Sequence, residues 1–372
     1  MKKKHLTILL PLILISMFLS ACGSAVAAAS WPGVNFDEGR GLIYLAYNQH
    51  VVALRVDDGV QVWKYPAEPQ STFLVFSAPQ LTADGQVVIG TYGNELFKLN
   101  PDNSGIPAPG WPFKGASNRY IGSALVLDEA ILAPNSDGRL YAVDLDGQLA
   151  WPGKGGIFGG SQGPLWTQPV TDGEVVFVPS LDHKLYALDA ASGEEAQGWA
   201  GGLDLGSAII GQPALSGDGL LYASTLDSVL VTVDTQRGEV VSSFATQGPL
   251  WSGPALIEGM LYVGDLDGML YAFDVNGNGG AEWTLDLGSA VTGPPVLFNE
   301  LLYVVTEGGQ LYSISLDGRQ SEVPLLEAYQ GAKYGSPLVA GDYLLVSLVN
   351  SEVVLFALDA TGRVAWQYSL AQ

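Results

Sequence analysis

Apolar residues along the chain fall into short runs, and one run recurs. Val51-Val52-Ala53-Leu54, Leu96-Phe97-Lys98-Leu99, Leu140-Tyr141-Ala142-Val143 and Leu185-Tyr186-Ala187-Leu188 are its first four copies. Leu230-Val231-Thr232-Val233, Leu270-Tyr271-Ala272-Phe273, Leu311-Tyr312-Ser313-Ile314 and Leu355-Phe356-Ala357-Leu358 complete the set. The steps between them are 45, 44, 45, 45, 40, 41 and 44 residues. No window sustains a 3.6-residue periodicity, which argues against a helical repeat of similar length. A period in the forties built from short strands and turns predicts a propeller. The expected fold is all-β, a single eight-bladed β-propeller of four-stranded antiparallel blades spanning residues 30–372.

Each repeat divides into four strand-like pieces. The first opens on a small residue, one further residue and usually proline, as in Ser77-Ala78-Pro79, Thr167-Gln168-Pro169, Gly211-Gln212-Pro213, Ser252-Gly253-Pro254 and Thr292-Gly293-Pro294. Ser30-Trp31-Pro32, Ser123-Ala124-Leu125 and Gly335-Ser336-Pro337 fill the same column. Proline cannot donate to a sheet ladder, so this piece is expected at the inner, edge strand of each blade. Small residues there would let eight strands converge on the axis. The second piece is apolar, as in Leu220-Leu221-Tyr222-Ala223, and is followed by turns such as Asp137-Gly138 and Asp267-Gly268. Asp-Gly favours a two-residue hairpin. The recurring phrase is the third piece; an acidic turn ending in glycine leads to the outer one.

That turn carries a family resemblance. Ala357-Leu358-Asp359-Ala360-Thr361-Gly362 precedes Trp366 by four residues, and Gly59 to Trp63, Gly147 to Trp151 and Gly279 to Trp283 keep the step. Gly105 to Trp111 and Gly193 to Trp199 are two longer. The pattern resembles the tryptophan-docking repeat of PQQ-like β-propellers, in which the indole packs between blades. It implies looser junctions after repeats five and seven, which carry Ser242 and Glu322 at that step. A longer period also exists. Gln162-Gly163-Pro164-Leu165-Trp166 returns as Gln247-Gly248-Pro249-Leu250-Trp251, and Leu205-Gly206-Ser207-Ala208 as Leu287-Gly288-Ser289-Ala290. A two-repeat duplication with similar loops on alternate blades is expected.

The N-terminus reads as an address. Lys2, Lys3 and Lys4 precede a mostly apolar run to Leu19, then Ser20, Ala21 and Cys22, the one cysteine of the chain. A basic start, a short apolar core and small residues at the cut describe a secretory signal. Leu19-Ser20-Ala21-Cys22 also resembles the bacterial lipobox. Residues 1–21 are therefore expected to be a lipoprotein signal peptide, Cys22 the lipidated residue, and 22–29 a tether. An uncleaved anchor, or secretion after cleavage at Ala25-Val26-Ala27, are the competing readings.

Charge and chemistry narrow the function. Beyond residue 21, 13 lysines and arginines face 38 aspartates and glutamates, a net charge of −25. Such a surface repels phosphate backbones and anionic headgroups, which excludes nucleic acid and leaves membrane contact to the lipid. The resemblance raises a PQQ-dependent dehydrogenase, but the adjacent-cysteine disulfide and the Cys-x-x-Cys-His haem site characteristic of those enzymes are absent, so no cofactor is expected. His50 and His183, both placed in turns before the third strand, suggest no metal pair or catalytic unit. Asp274, Asn276 and Asn278 with Gly279 fit the start of a calcium loop, although position 12 is Leu285; an ordinary turn explains the same residues. Phe76, Trp166, Trp251 and Tyr334 precede the small-residue column and are candidates for an interaction rim at the channel mouth, core packing being the alternative. Among lipoproteins with this repeat, the resemblance is to the non-catalytic propeller subunit of the outer-membrane β-barrel assembly machinery. It implies a membrane-anchored, extracytoplasmic scaffold with envelope protein partners. A solute- or sugar-binding propeller is a third class.

Overall fold

The computed structural model describes residues 32–152, 155–277, 280–322, 337–349 and 351–369. The leader, Cys22, Asn278 and Tyr334 lie outside the described residues. The rest forms eight four-stranded antiparallel sheets, each paired in strict sequence order, so the fold is the eight-bladed propeller. Blade 1 holds Gly33–Asp37, Leu42–Tyr47, His50–Arg55 and Gln61–Tyr65; blade 8 holds Leu338–Ala340, Tyr343–Ser347, Val353–Leu358 and Val364–Ser369. All eight copies of the recurring phrase are third strands.

There is no single core. Eight apolar clusters fill the gaps between neighbouring blades, and the strand period of two divides each phrase between two of them. Val52 and Leu54 pack towards blade 8, whereas Val51 and Ala53 pack towards blade 2. A strand buried on both faces must be apolar throughout, which is why the phrase reads as a continuous run. The cluster joining Ile43, Leu45 and Leu54 to Leu345, Leu355 and Trp366 closes the ring.

The tryptophans dock on the neighbouring blade's acidic turn. The indole N–H of Trp111 donates to Leu145 O (3.2 Å), Trp151 to Ala190 O (3.0 Å) and Trp199 to Thr235 O (3.0 Å). Trp283 donates to Leu316 O (3.0 Å) and Trp366, across the ring closure, to Val56 O (2.8 Å). Each acceptor directly follows the third strand. The glycine ending the same turn takes a positive φ, +72° at Gly193 and +66° at Gly59. A Cβ there would stand 2.3 Å from Trp151 Cε3 or 2.4 Å from Trp366 Cε3, so glycine is needed both for the turn and for the ring lying on it. Trp63 differs. It is buried at 5 % exposure, yet its N–H has no partner, because the blade 2 turn is a 3-10 turn at Pro101–Asn103.

The two junctions expected to be loose have separate explanations. In blade 5, Ser242 sits opposite Thr232, the tryptophan register, and is exposed. Phe244, two residues on and on the same strand face, packs 4.4 Å from Phe273 and so occupies the junction. In blade 7 the outer strand pairs without the extra residue that bulges blades 1, 5 and 8. Ser321, not Glu322, therefore lies opposite Ser313, and the residue step used to place Glu322 is off by one.

The duplication is visible in detail. Gly206 N–H and Gly288 N–H each donate to the aspartate two residues back, Asp204 and Asp286, at 2.8 Å. Leu165 and Leu250 are both fully buried in equivalent loops. The Asp-Gly turns, by contrast, are not two-residue hairpins. Asn135 and Arg139 pair across Ser136-Asp137-Gly138, a three-residue loop with Gly138 at φ +79°. His183 takes the equivalent left-handed position in blade 4 at φ +77°.

Candidate functional site at the axial mouth

Strand order puts two kinds of connection at opposite ends of the ring. The acidic, tryptophan-binding turns are at one end. At the other lie the turns between second and third strands and the loops that enter each blade. Those loops are stitched to two successive turns by backbone hydrogen bonds. Leu165 N–H donates to Asn135 O of blade 3 (3.0 Å), and Pro164 O accepts from Leu181 N–H of blade 4 (3.1 Å). Val75 with Leu74, Tyr120 with Arg119, Ile209 with Ala208, Leu250 with Pro249 and Val291 with Ala290 repeat the arrangement. Side-chain bonds reinforce it. Tyr186 OH (2.6 Å) and Gln162 N–H (2.7 Å) both donate to the Asp182 carboxylate. Burial pushes that carboxyl up, but these hydrogen bonds hold it below the ordinary aspartate range. In blade 6, Gly248 N–H and Tyr271 OH donate to Asp265 in the same way (both 2.9 Å), and the Tyr271 phenol is pushed up to about 12, mainly by burial.

This stitching fixes the register of the mouth and corrects the small-residue column. Counting from the buried residue, the small position is Gly122 in blade 3 and Gly293 in blade 7, one residue away from Ser123 and Thr292. The inner strands then begin at Leu125 and Val296 just after the column, as they do after Pro79, Pro169 and Pro254. Convergence is tight: a Cβ on Gly211 would be 2.1 Å from Gly253 N, and one on Gly122 2.7 Å from Trp166 O.

Three or more consecutive positions from each of blades 2 to 7 line an axial cavity of about 600 Å³. Its outermost ring is Phe76, Ile121, Trp166, Ile210, Trp251 and Thr292. Three of the sequence candidates are thus brought together at the mouth; Tyr334 lies outside the described residues. Ile121, Ile210 and Thr292 were missed, because an isoleucine or threonine before a small residue carries no signal without the register. The Trp166 indole is held by Ser136 Oγ (3.0 Å). Phe76 meets Tyr92 at 5.2 Å, and the Arg119 guanidinium lies 4.5 Å above the Tyr92 ring.

The cavity does not suit a quinone cofactor. PQQ is a tricarboxylate, and among the described residues the lining contains no lysine, arginine or histidine to meet it and no carboxylate to hold a bridging calcium. Elsewhere, Asp274 accepts the N–H of Asn276 (2.9 Å), the bond that Asp144, Asp234 and Asp359 make to the N–H two residues on in their own turns. Among the described residues no three His, Cys, Asp or Glu side chains gather in a metal-binding group. His50, expected in an exposed turn, instead begins the third strand of blade 1; it is 9 % exposed and contacts Pro66 O at 2.9 Å. Burial lowers its pKa.

Ring closure and tryptophan docking define a propeller of the PQQ-like repeat class, and among the described residues its mouth lacks the charges PQQ would need. The family model described as "Outer membrane protein assembly factor BamB" matches residues 136–243 and 226–372, and the chain belongs to that family. A BamB of Nitrosomonas eutropha is 28 % identical over 164 residues, 42 % of this chain and 38 % of that protein. The match thus spans well under half of the relative's length. Two solved structures share the fold. The computationally designed Ika8 protein superimposes with a TM-score of 0.69 at 14 % identity, over 90 % of this chain and 98 % of its own. BamB from Moraxella catarrhalis gives 0.65 at 17 % identity, over 89 % and 94 %.

Proposed function

We propose that this protein is a non-catalytic assembly factor of the bacterial outer membrane, a lipid-anchored scaffold on the extracytoplasmic side. The observation that carries the reading is the family match across residues 136–372. Residues 1–21 serve as the signal, acylated Cys22 as the anchor, 22–29 as the tether and 30–372 as the propeller. The net charge of −25 beyond the signal leaves the acyl chains as the membrane contact. Envelope protein partners dock on the mouth rim through Phe76, Trp166 and Trp251, with Tyr334 as the fourth aromatic. Half-buried aromatic rings on a rigid collar are the groups that dominate protein interfaces, and here the backbone beneath them is fixed from both sides.

The test is complementation in an outer-membrane host lacking its own copy. Wild type restores the level of folded outer-membrane β-barrel proteins. Cys22→Ser gives a folded propeller that leaves the membrane fraction. A Phe76→Ala/Trp166→Ala/Trp251→Ala variant stays folded and anchored but does not complement. Full complementation by that triple variant refutes the rim as the docking surface, and absence of any barrel defect on deletion refutes the assembly role.

A further inference from the structure

We propose that the cavity beneath the rim binds a neutral saccharide. Its lining is uncharged. Charged residues make up 15 % of the chain, yet none of the described lining residues from blades 2 to 7 is charged. Phosphates, carboxylates and amines would enter such a site with no counter-charge and lose their hydration, so the ligand class is uncharged.

The lining also mixes two kinds of group. Two indoles and a phenyl ring stand half-exposed at the mouth. Below them are amides and hydroxyls. Gln212 is exposed to the lumen. Gln168 spends both Nε2 hydrogens, on Ala124 O (2.8 Å) and on Gln80 Oε1 across blade 3 (3.1 Å), so its Oε1 is held as an acceptor in the wall. A pyranose has the complementary anatomy: an apolar C–H face that lies on an aromatic ring and an equatorial belt of hydroxyls that both donate and accept. A lipid chain would leave the exposed amide of Gln212 desolvated without a partner, which disfavours it.

Size is the third observation. The volume of about 600 Å³ falls inside the usual small-molecule range of roughly 300–1,000 Å³.

The inference stands on the cavity walls and not on the protein-docking reading, and its test separates the two. The full chain in detergent is titrated by calorimetry and by saturation-transfer NMR with maltotriose, cellotriose and tri-N-acetylchitotriose, each to about 10 mM, which covers millimolar affinity. At least one of the three binds with a saturable isotherm. Gln212→Ala and Trp251→Ala, each with an unchanged melting temperature, weaken that binding tenfold or more, while Gln212→Ala still complements in cells. No binding by any of the three overturns the proposal. So does binding unaffected by both substitutions, which would place the sugar elsewhere.

Discussion

The docking of tryptophans on acidic turns can be separated into packing and hydrogen bonding, because the chain contains its own control. Trp151 is 3 % exposed, donates its N–H to Ala190 O and lies on Gly193. Trp63 is 5 % exposed and lies on Gly105 in the same way, but its N–H has no partner. Replacing either by phenylalanine removes similar apolar volume, so the packing loss is nearly common to both. At position 151 the change also takes the partner from a part-buried carbonyl, a loss of up to about 1–3 kcal/mol. At position 63 it removes a buried donor that was already unsatisfied, which recovers part of the packing loss. Trp151→Phe should therefore cost more than Trp63→Phe by about 2 kcal/mol, a substantial share of a total stability of about 5–15 kcal/mol. Urea unfolding followed by circular dichroism reads the difference as a lower midpoint at unchanged slope. Equal midpoints, or the larger loss at Trp63, would refute a role for the indole hydrogen bonds and reduce docking to shape alone.

Three further outcomes follow from the same geometry. Gly193→Ala puts a Cβ 2.3 Å from Trp151 Cε3 at φ +72° and should lower the urea midpoint markedly, whereas Gly217→Ala, with nothing within 4 Å, should leave it unchanged or raise it slightly. Ser242→Trp should change stability by no more than about 0.5 kcal/mol, as at an ordinary surface site, because Phe244 already packs against Phe273; a large loss would show that the slot is closed. Burial holds the His50 pKa below its ordinary value, so the unfolded chain takes up a proton first as pH falls, and stability should decline below about pH 6.5; His50→Gln should flatten that decline in pH-dependent melting curves.

What could be read from the sequence was whatever the fold demands of every blade. The third strands are apolar on both sides because each faces two interblade clusters, so they recur as unbroken runs and reveal both the period and the blade count. The features that escaped are those set by one residue of register. Pro294-Pro295 and the proline-free Ser123-Ala124-Leu125 hide where the inner strand starts, and so concealed Ile121 and Thr292 as members of the rim. An Asp-Gly dipeptide does not show that Asn135 and Arg139 pair across three residues rather than two. Nor does the distance from a turn glycine reveal whether a bulge intervenes, which is why Glu322 was placed where Ser321 lies. His50 was misplaced for a related reason: blade 1 turns in two residues, so Tyr47 and His50 pair directly and the imidazole is drawn into the strand.

The two ends of the ring are constrained in different currencies, and this bears on where a function can reside. At the tryptophan end, specific side chains hold the blades together: an indole, a glycine with positive φ and a carbonyl at one fixed distance from both. A changed loop there lifts a ring off its glycine and weakens a junction. At the other end the entering loops are held by backbone N–H and C=O groups, which any residue supplies. The side chain just before the small column is then free to differ, and it does: phenylalanine, isoleucine, tryptophan, isoleucine, tryptophan and threonine occupy one structural position in blades 2 to 7. A position with a fixed backbone and an unconstrained side chain can take on recognition chemistry without loss to the fold. The duplicated Gln-Gly-Pro-Leu-Trp loops show how a matched pair arises there, since copying two blades sets Trp166 and Trp251 on either side of Ile210. The mouth, more than the tryptophan end, is therefore where the fold leaves side chains free to vary.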